Sequence, residues 1–174
     1  MLPPSRLIVA MTGAPGTSYG VRLLEALRDT PVETHLVMCG CSRRAILAET
    51  GREPAAVRGL ADYAYQPANQ AARISSGSFL TEGMVIAPCS PLTLARIVTG
   101  LAGNLVQRAA DVVLKERRPL LLAVSEPPAG DFQAANLRRA ARVPGVAVTR
   151  LPPPGSEPPD RVVAGLLERL RLRM

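Results

Sequence analysis

The chain has 174 residues, 47% of them hydrophobic and 20% charged, which describes one globular domain rather than a disordered segment. Its formal charge is +7, but only 3% of residues are aromatic and none is Trp, so a base-stacking nucleic-acid reader is not expected. Cys39, Cys41 and Cys89 form no C-x-x-C and stand with a single His35, which supplies no zinc set.

Strand and helix signals alternate along the chain. RLIVAMT (6–12) reads as a buried strand, and apolar residues at helical spacing follow over 19–29. VETHLVMC (32–39) reads as a strand and 42–51 as a helix stopped by Gly51. Residues 52–79 are weakly patterned, with a short helix near 54–60 and then a loop. GMVIAP (83–88) is a strand, followed by helices over 90–103 and 104–118. PLLLAVS (119–125) is a strand, 131–142 a helix and VAVTRL (146–151) a last short strand. PPPGSEPP (152–159) is a linker to a closing helix, 160–173. Short apolar strands separated by helices predict an α/β, Rossmann-like three-layer sandwich with a mostly parallel central sheet and no second domain. No apolar run approaches the length of a membrane span, so no membrane partner is expected, and the three cysteines fit a cytoplasmic protein.

Ligands in such sheets bind at the carboxyl ends of strands. Three loops stand there: TGAPG after the first strand, CGCS after the second and APCSPLT after the third. TGAPG lacks the full dinucleotide spacing but offers backbone N–H groups, Thr17 and Ser18 at a helix start, which suits a phosphate or a ring edge. Ser90 reads as an N-cap with Pro91 at the first helical position, and Thr93 as a hydroxyl in the first turn. Cys89 reads as a small buried residue. Lys115 is the only Lys in an Arg-rich chain.

The stretches TGAPGTSYGVRLLEAL, ISSGSFLTEGMVIAPCSPLTLARI and NLVQRAADVVLKERRPLLL together resemble the flavin prenyltransferases, the UbiX-like flavoproteins. The resemblance runs from about residue 6 to 150. It implies FMN as cofactor, dimethylallyl phosphate as substrate, no metal, and a homo-oligomer of the dodecamer type built of trimers. It also implies a product used by a partner decarboxylase. Carried over by position, FMN contacts fall on Gly13, Ala14, Pro15, Cys39, Ser90, Pro91, Leu92, Thr93 and Ser125. Glu49, Lys115 and Glu126 fall at catalytic positions, and Arg108, Gly155 and Arg171 on the prenyl-phosphate side. The chain departs from the family at four of these places. Pro15 and Cys39 each replace a Ser, Ser125 replaces an Arg, and Gly155 replaces a Tyr. Two readings stand open on these grounds: a flavin prenyltransferase, or an FMN-binding paralogue that no longer transfers the prenyl group. Flavin-dependent cysteine decarboxylases use a His before the third strand, where this chain has Asn69.

Overall fold

The structure is a computed structural model that describes residues 5–170. In chain order the elements are β1 (Arg6–Met11), α1 (Thr17–Arg28), β2 (Glu33–Met38), α2 (Ser42–Thr50), α3 (Pro54–Arg58) and β3 (Tyr63–Tyr65). After a 3-10 turn at Arg73–Ser75 come β4 (Gly83–Ile86), α4 (Pro91–Val98), α5 (Leu105–Lys115), β5 (Leu120–Val124), α6 (Asp131–Ala140), β6 (Val146–Arg150) and α7 (Pro159–Leu170).

All strand pairs are parallel, and the six strands lie in the order β3-β2-β1-β4-β5-β6. Strand residues alternate between two cores, as the pleat requires. Leu7, Val9 and Met11 of β1 pack on Leu23, Leu24 and Leu27 of α1 and on Val163 and Leu166 of α7. Ile8 and Ala10 face the other way, in the cluster that holds Val106, Ala109, Ala110 and Val113 of α5. Both faces of the sheet are therefore buried, which is why its central strands read as continuous apolar runs.

β3 was not expected from the sequence. Its three residues, Tyr-Ala-Tyr, form an edge strand with one neighbour, and Tyr63 and Ala64 are exposed. An edge strand this short has no apolar run to announce it. It is held by His35 of β2, whose ring stacks on Tyr63 at 4.9 Å and meets the Phe79 edge-on at 4.9 Å. The predicted helices 90–103 and 104–118 both stop early, at Val98 and Lys115. Gly100 and Arg117 take the left-handed conformation and turn the chain there. Arg118 then donates to the carbonyls of Phe79 (2.8 Å) and Gly77 (2.9 Å), so part of the basic run is spent clamping the loop before β4.

Candidate active site

The strand order reverses between β1 and β4, and the loops leaving their carboxyl ends part to form a crevice. Thr12 ties these loops together. Its hydroxyl donates to the Pro88 carbonyl at 2.8 Å and accepts the Ser90 N–H at 2.8 Å, while its own N–H reaches Pro88 at 3.2 Å. Thr12 was absent from the sequence-derived site. Its only signal was a hydroxyl residue at the strand exit, one place before Gly13.

On one side of the crevice lies the first loop. Gly13 and Pro15 are exposed and Ala14 is buried. The N–H groups expected to await a ligand at the start of α1 are largely spoken for. The Glu49 carboxylate accepts the Gly16 N–H at 2.9 Å and the Ser18 N–H at 3.0 Å. Glu49 lies near the end of α2, so it serves as the anion that the amino end of α1 favours. A ligand phosphate does not need to be placed there. Gly16 itself holds φ +99°, with the Leu151 and Tyr19 side chains 3.3 and 3.4 Å from where a Cβ would stand.

The other side is the start of α4. Ser90 is its N-cap, as expected: its Oγ accepts the Thr93 N–H at 3.3 Å and donates to the Thr93 Oγ1 at 3.0 Å. Pro91 has no N–H, and the Leu92 N–H, like other first-turn donors, has no carbonyl within the helix to bond. The Leu92 side chain is 63% exposed. This end of α4 carries no acidic residue in its first turn.

Cys39 and Cys89 close the floor. Burial, with the neighbouring Cys41, pushes the Cys39 thiol up to about 11. Burial, with Cys39 beside it, pushes Cys89 up to about 12. Both are thiols at neutral pH and neither is an activated nucleophile. Ser125 directly follows the neighbouring strand, β5. Its Oγ is buried without a hydrogen-bond partner, behind Gly16. Glu126 follows it, exposed, and lines a cleft between α4 and α6 with Cys89, Pro91, Leu94 and Gln133.

The remaining candidates stand apart. Gly155 is exposed at φ +81° in the connection from β6 to α7. That connection is moored to α1 by the Tyr19 hydroxyl, which donates to the Pro153 carbonyl at 3.1 Å. Arg108 and Lys115 both pair with Asp111 on α5, at 3.3 and 2.8 Å. α5 runs opposite to the strands, so Lys115 at its end lies at the amino edge of the sheet, beside Arg117, Val143 and Gly145, and is 66% exposed. Within one subunit the fold does not bring Lys115 to Glu49 or Glu126. Arg171 lies outside the described residues. Among the described residues no group of three or more His, Cys, Asp or Glu side chains is placed to hold a metal ion.

The family model described as Flavoprotein matches residues 1–152. A probable UbiX-like flavin prenyltransferase of Streptomyces sp. (strain D7) is 49% identical over 96% of this chain and 87% of its own length. The flavin prenyltransferase UbiX of Escherichia coli (strain K12) is 48% identical over 85% of this chain and 77% of its own. Among solved structures, a dodecameric FMN-dependent UbiX-like decarboxylase from Escherichia coli O157:H7 superposes with a TM-score of 0.89 at 46% identity, covering 97% of this chain and 95% of that one. AnUbiX (PadA1) in complex with FMN and dimethylallyl pyrophosphate superposes with a TM-score of 0.89 at 38% identity, covering 98% of this chain and 94% of that one. The parallel sheet, the Thr12-tied crevice and this likeness over nearly the whole chain agree: the chain belongs to the UbiX-like flavin prenyltransferase family of flavoproteins.

Proposed function

We propose that the protein binds FMN in the crevice between β1 and β4 and transfers a dimethylallyl group from dimethylallyl phosphate to the reduced flavin. The observation that carries this reading is the Thr12–Ser90 link, which holds the open amino end of α4 against a loop whose own helix end is already neutralised by Glu49. The flavin phosphate then goes to the start of α4, to the Leu92 N–H and the Thr93 hydroxyl, where the first turn carries no acidic residue. Gly13, Ala14 and Pro15 offer a flat, side-chain-poor wall for the ring, with Cys39 at its edge. The unpartnered Ser125 hydroxyl is a buried polar atom that a bound ligand would satisfy. These features fit FMN. Reduced FMN supplies the nucleophilic ring atoms that take the prenyl group.

In this reading Glu126 stands at the mouth beside the leaving phosphate, and Glu49 holds the first loop in place through two N–H groups. Lys115, at the opposite edge of the sheet, would reach a crevice only in a neighbouring subunit, which agrees with a homo-oligomer of the dodecameric kind named for one relative, and Arg108 lies at the start of the same helix. The product would serve a partner decarboxylase. A second reading, FMN binding without prenyl transfer, is favoured by Ser125 and Gly155, which put neither a cation nor a phenol on the phosphate side. Anaerobic incubation with reduced FMN and dimethylallyl phosphate, followed by mass spectrometry of the released flavin, decides between them. Prenylated flavin supports transfer; bound but unmodified FMN supports the second reading.

A further inference from the structure

The sheet has two edges. β3 is three residues long, whereas β6 runs for five and has a neighbour on one side only. The Leu151 N–H bonds the Val124 carbonyl at 2.8 Å, and the Gly145 carbonyl takes the Leu120 N–H at 2.8 Å. Odd-numbered residues of this stretch therefore turn their backbone groups to β5, and Val146, Val148 and Arg150 turn theirs outward. The Val146 N–H folds onto the Val143 carbonyl at 3.1 Å. The N–H groups of Val148 and Arg150 and the carbonyls of Val146 and Val148 have no backbone partner among the described residues. A groove runs between this edge and α7. α7 presents Arg161, Gly165 and Arg169 to it, one per helical turn, with Val162 and Leu166 beside them. Gly165 has no atom within 4 Å of the place a Cβ would take, so the middle of the groove is open. Arg161 and Arg169 are exposed, and with Arg150 they set three guanidinium groups against one carboxylate, Glu157. Arg6, Arg22, Arg52 and Arg108 hold carboxylates of this chain, but none of these three arginines is in an ion pair among the described residues.

A free strand edge beside a helix can receive an extended chain: main-chain hydrogen bonds hold it, and alternate side chains meet the helix. We propose that β6 takes a seventh strand, an extended acidic segment of a partner protein, whose backbone pairs with Val148 and Arg150 and whose carboxylates meet Arg161 and Arg169. The spacing fixes the pattern. The two arginines lie eight residues apart on α7, which is about 12 Å along the helix axis. Four residues of an extended chain span about 13 Å. Side chains two apart on a strand face the same way, so the segment reads acidic–x–aliphatic–x–acidic. The aliphatic side chain fills the open space over Gly165, against Val162 and Leu166. A basic residue at either end would meet like charge. The x positions face away from α7 and are free to vary.

The test uses the full chain, in whatever assembly it forms, and a fluorescein-labelled peptide with the core Glu-Thr-Val-Thr-Glu, followed by fluorescence anisotropy. The expected result is saturable binding that weakens as salt is raised. A peptide with lysine in place of both glutamates should bind at least about tenfold more weakly. Two further peptides keep every side chain but carry N-methyl groups on one or the other alternate set of backbone nitrogens. Only one set faces β6, so one of these peptides should bind and the other should not. On the protein side, Arg161→Glu with Arg169→Glu should weaken binding about tenfold. Gly165→Leu fills open space on a helix and should block the peptide while circular dichroism stays unchanged. No saturable binding to the wild type, or equal binding of the two N-methylated peptides, overturns the added strand. Absence of peptide binding, together with a smaller assembly for Gly165→Leu by light scattering, gives the edge to a second copy of this chain and overturns the acidic partner.

Discussion

Thr12 and Ser90 are 78 residues apart in sequence, yet the Ser90 N–H donates to the Thr12 hydroxyl at 2.8 Å, and this bond sets the mouth of the crevice. The same hydroxyl donates to Pro88, so one side chain serves both as donor and as acceptor. Thr12→Val keeps the shape and the backbone N–H bond to the Pro88 carbonyl, but it removes the hydroxyl's bond to that carbonyl and leaves the Ser90 N–H without its acceptor. The expected loss is about 1–3 kcal/mol of stability, with weaker FMN binding. Denaturant titration and flavin fluorescence check the two effects.

Ser90 and Asn104 are both N-caps, and comparing them separates stability from binding. Ser90 accepts from Thr93 at 3.3 Å, and Asn104 accepts from Gln107 at 3.2 Å. Alanine at either place should cost about 0.5–2 kcal/mol of stability. Only Ser90→Ala should also weaken FMN, because α5 does not begin at the proposed phosphate site. Equal FMN affinity in the two variants would place the phosphate elsewhere.

Glu49 is expected to act on the first loop before it acts on any substrate. Glu49→Ala strips the acceptor from Gly16 and Ser18 and should cost about 1–2 kcal/mol. Glu49→Gln keeps one acceptor oxygen and should recover part of that stability. If prenyl transfer recovers in parallel, the loop contact is the main role of Glu49. Recovered stability without recovered transfer would require its charge in the chemistry.

Acid should weaken the β2–β3 edge. Burial holds His35 below its ordinary value, against the pull of Glu33 and with the repulsion of Arg6 and Arg73. The neutral ring gives Nε2–H to Glu33 and takes the Tyr65 O–H at Nδ1, both at 2.9 Å. Burial raises the Glu33 carboxyl, but hydrogen bonds from Arg6 and His35 outweigh it and hold the group below its ordinary value. Both shifts make the unfolded chain bind more protons. The His35 contribution is therefore complete above about pH 6.5 and is lost as pH falls towards the lowered folded value. The Glu33 contribution is lost further down, below the usual carboxylate range. Thermal melts across this window should show the upper loss in the wild type and not in His35→Gln.

Restoring the family's phosphate-side residues should succeed at one position only. Ser125→Arg replaces a buried hydroxyl that has no partner and should strengthen FMN binding or prenyl transfer. Gly155→Tyr meets open space but forces a bulky residue to φ +81°, at a cost of about 1–2 kcal/mol. The single Ser125 variant should outperform the double one in yield of prenylated flavin. A double variant that is equally stable would show that the connection after β6 relaxes freely.

The sequence by itself determined the central strands, the helices between them and the Ser90 cap. Runs such as LIVAM and PLLLAV must be buried on both sides, and a Ser-Pro pair has few other uses at a helix start. It also carried the family, because the motifs that bear the resemblance are contiguous. The tertiary structure alone decided what the polar groups at the site do. Glu49 lies 33 residues from Gly16, and only the packing of α2 on α1 turns it into a helix cap. β3 exists because His35 offers it a stacking surface, a contact that no local pattern records. Lys115 could be singled out by rarity, but the direction of α5 carries it to the edge of the sheet opposite the crevice. Apolar burial follows local periodicity and can be read along the chain, whereas a hydrogen bond or an ion pair depends on which distant element the fold brings within about 3 Å.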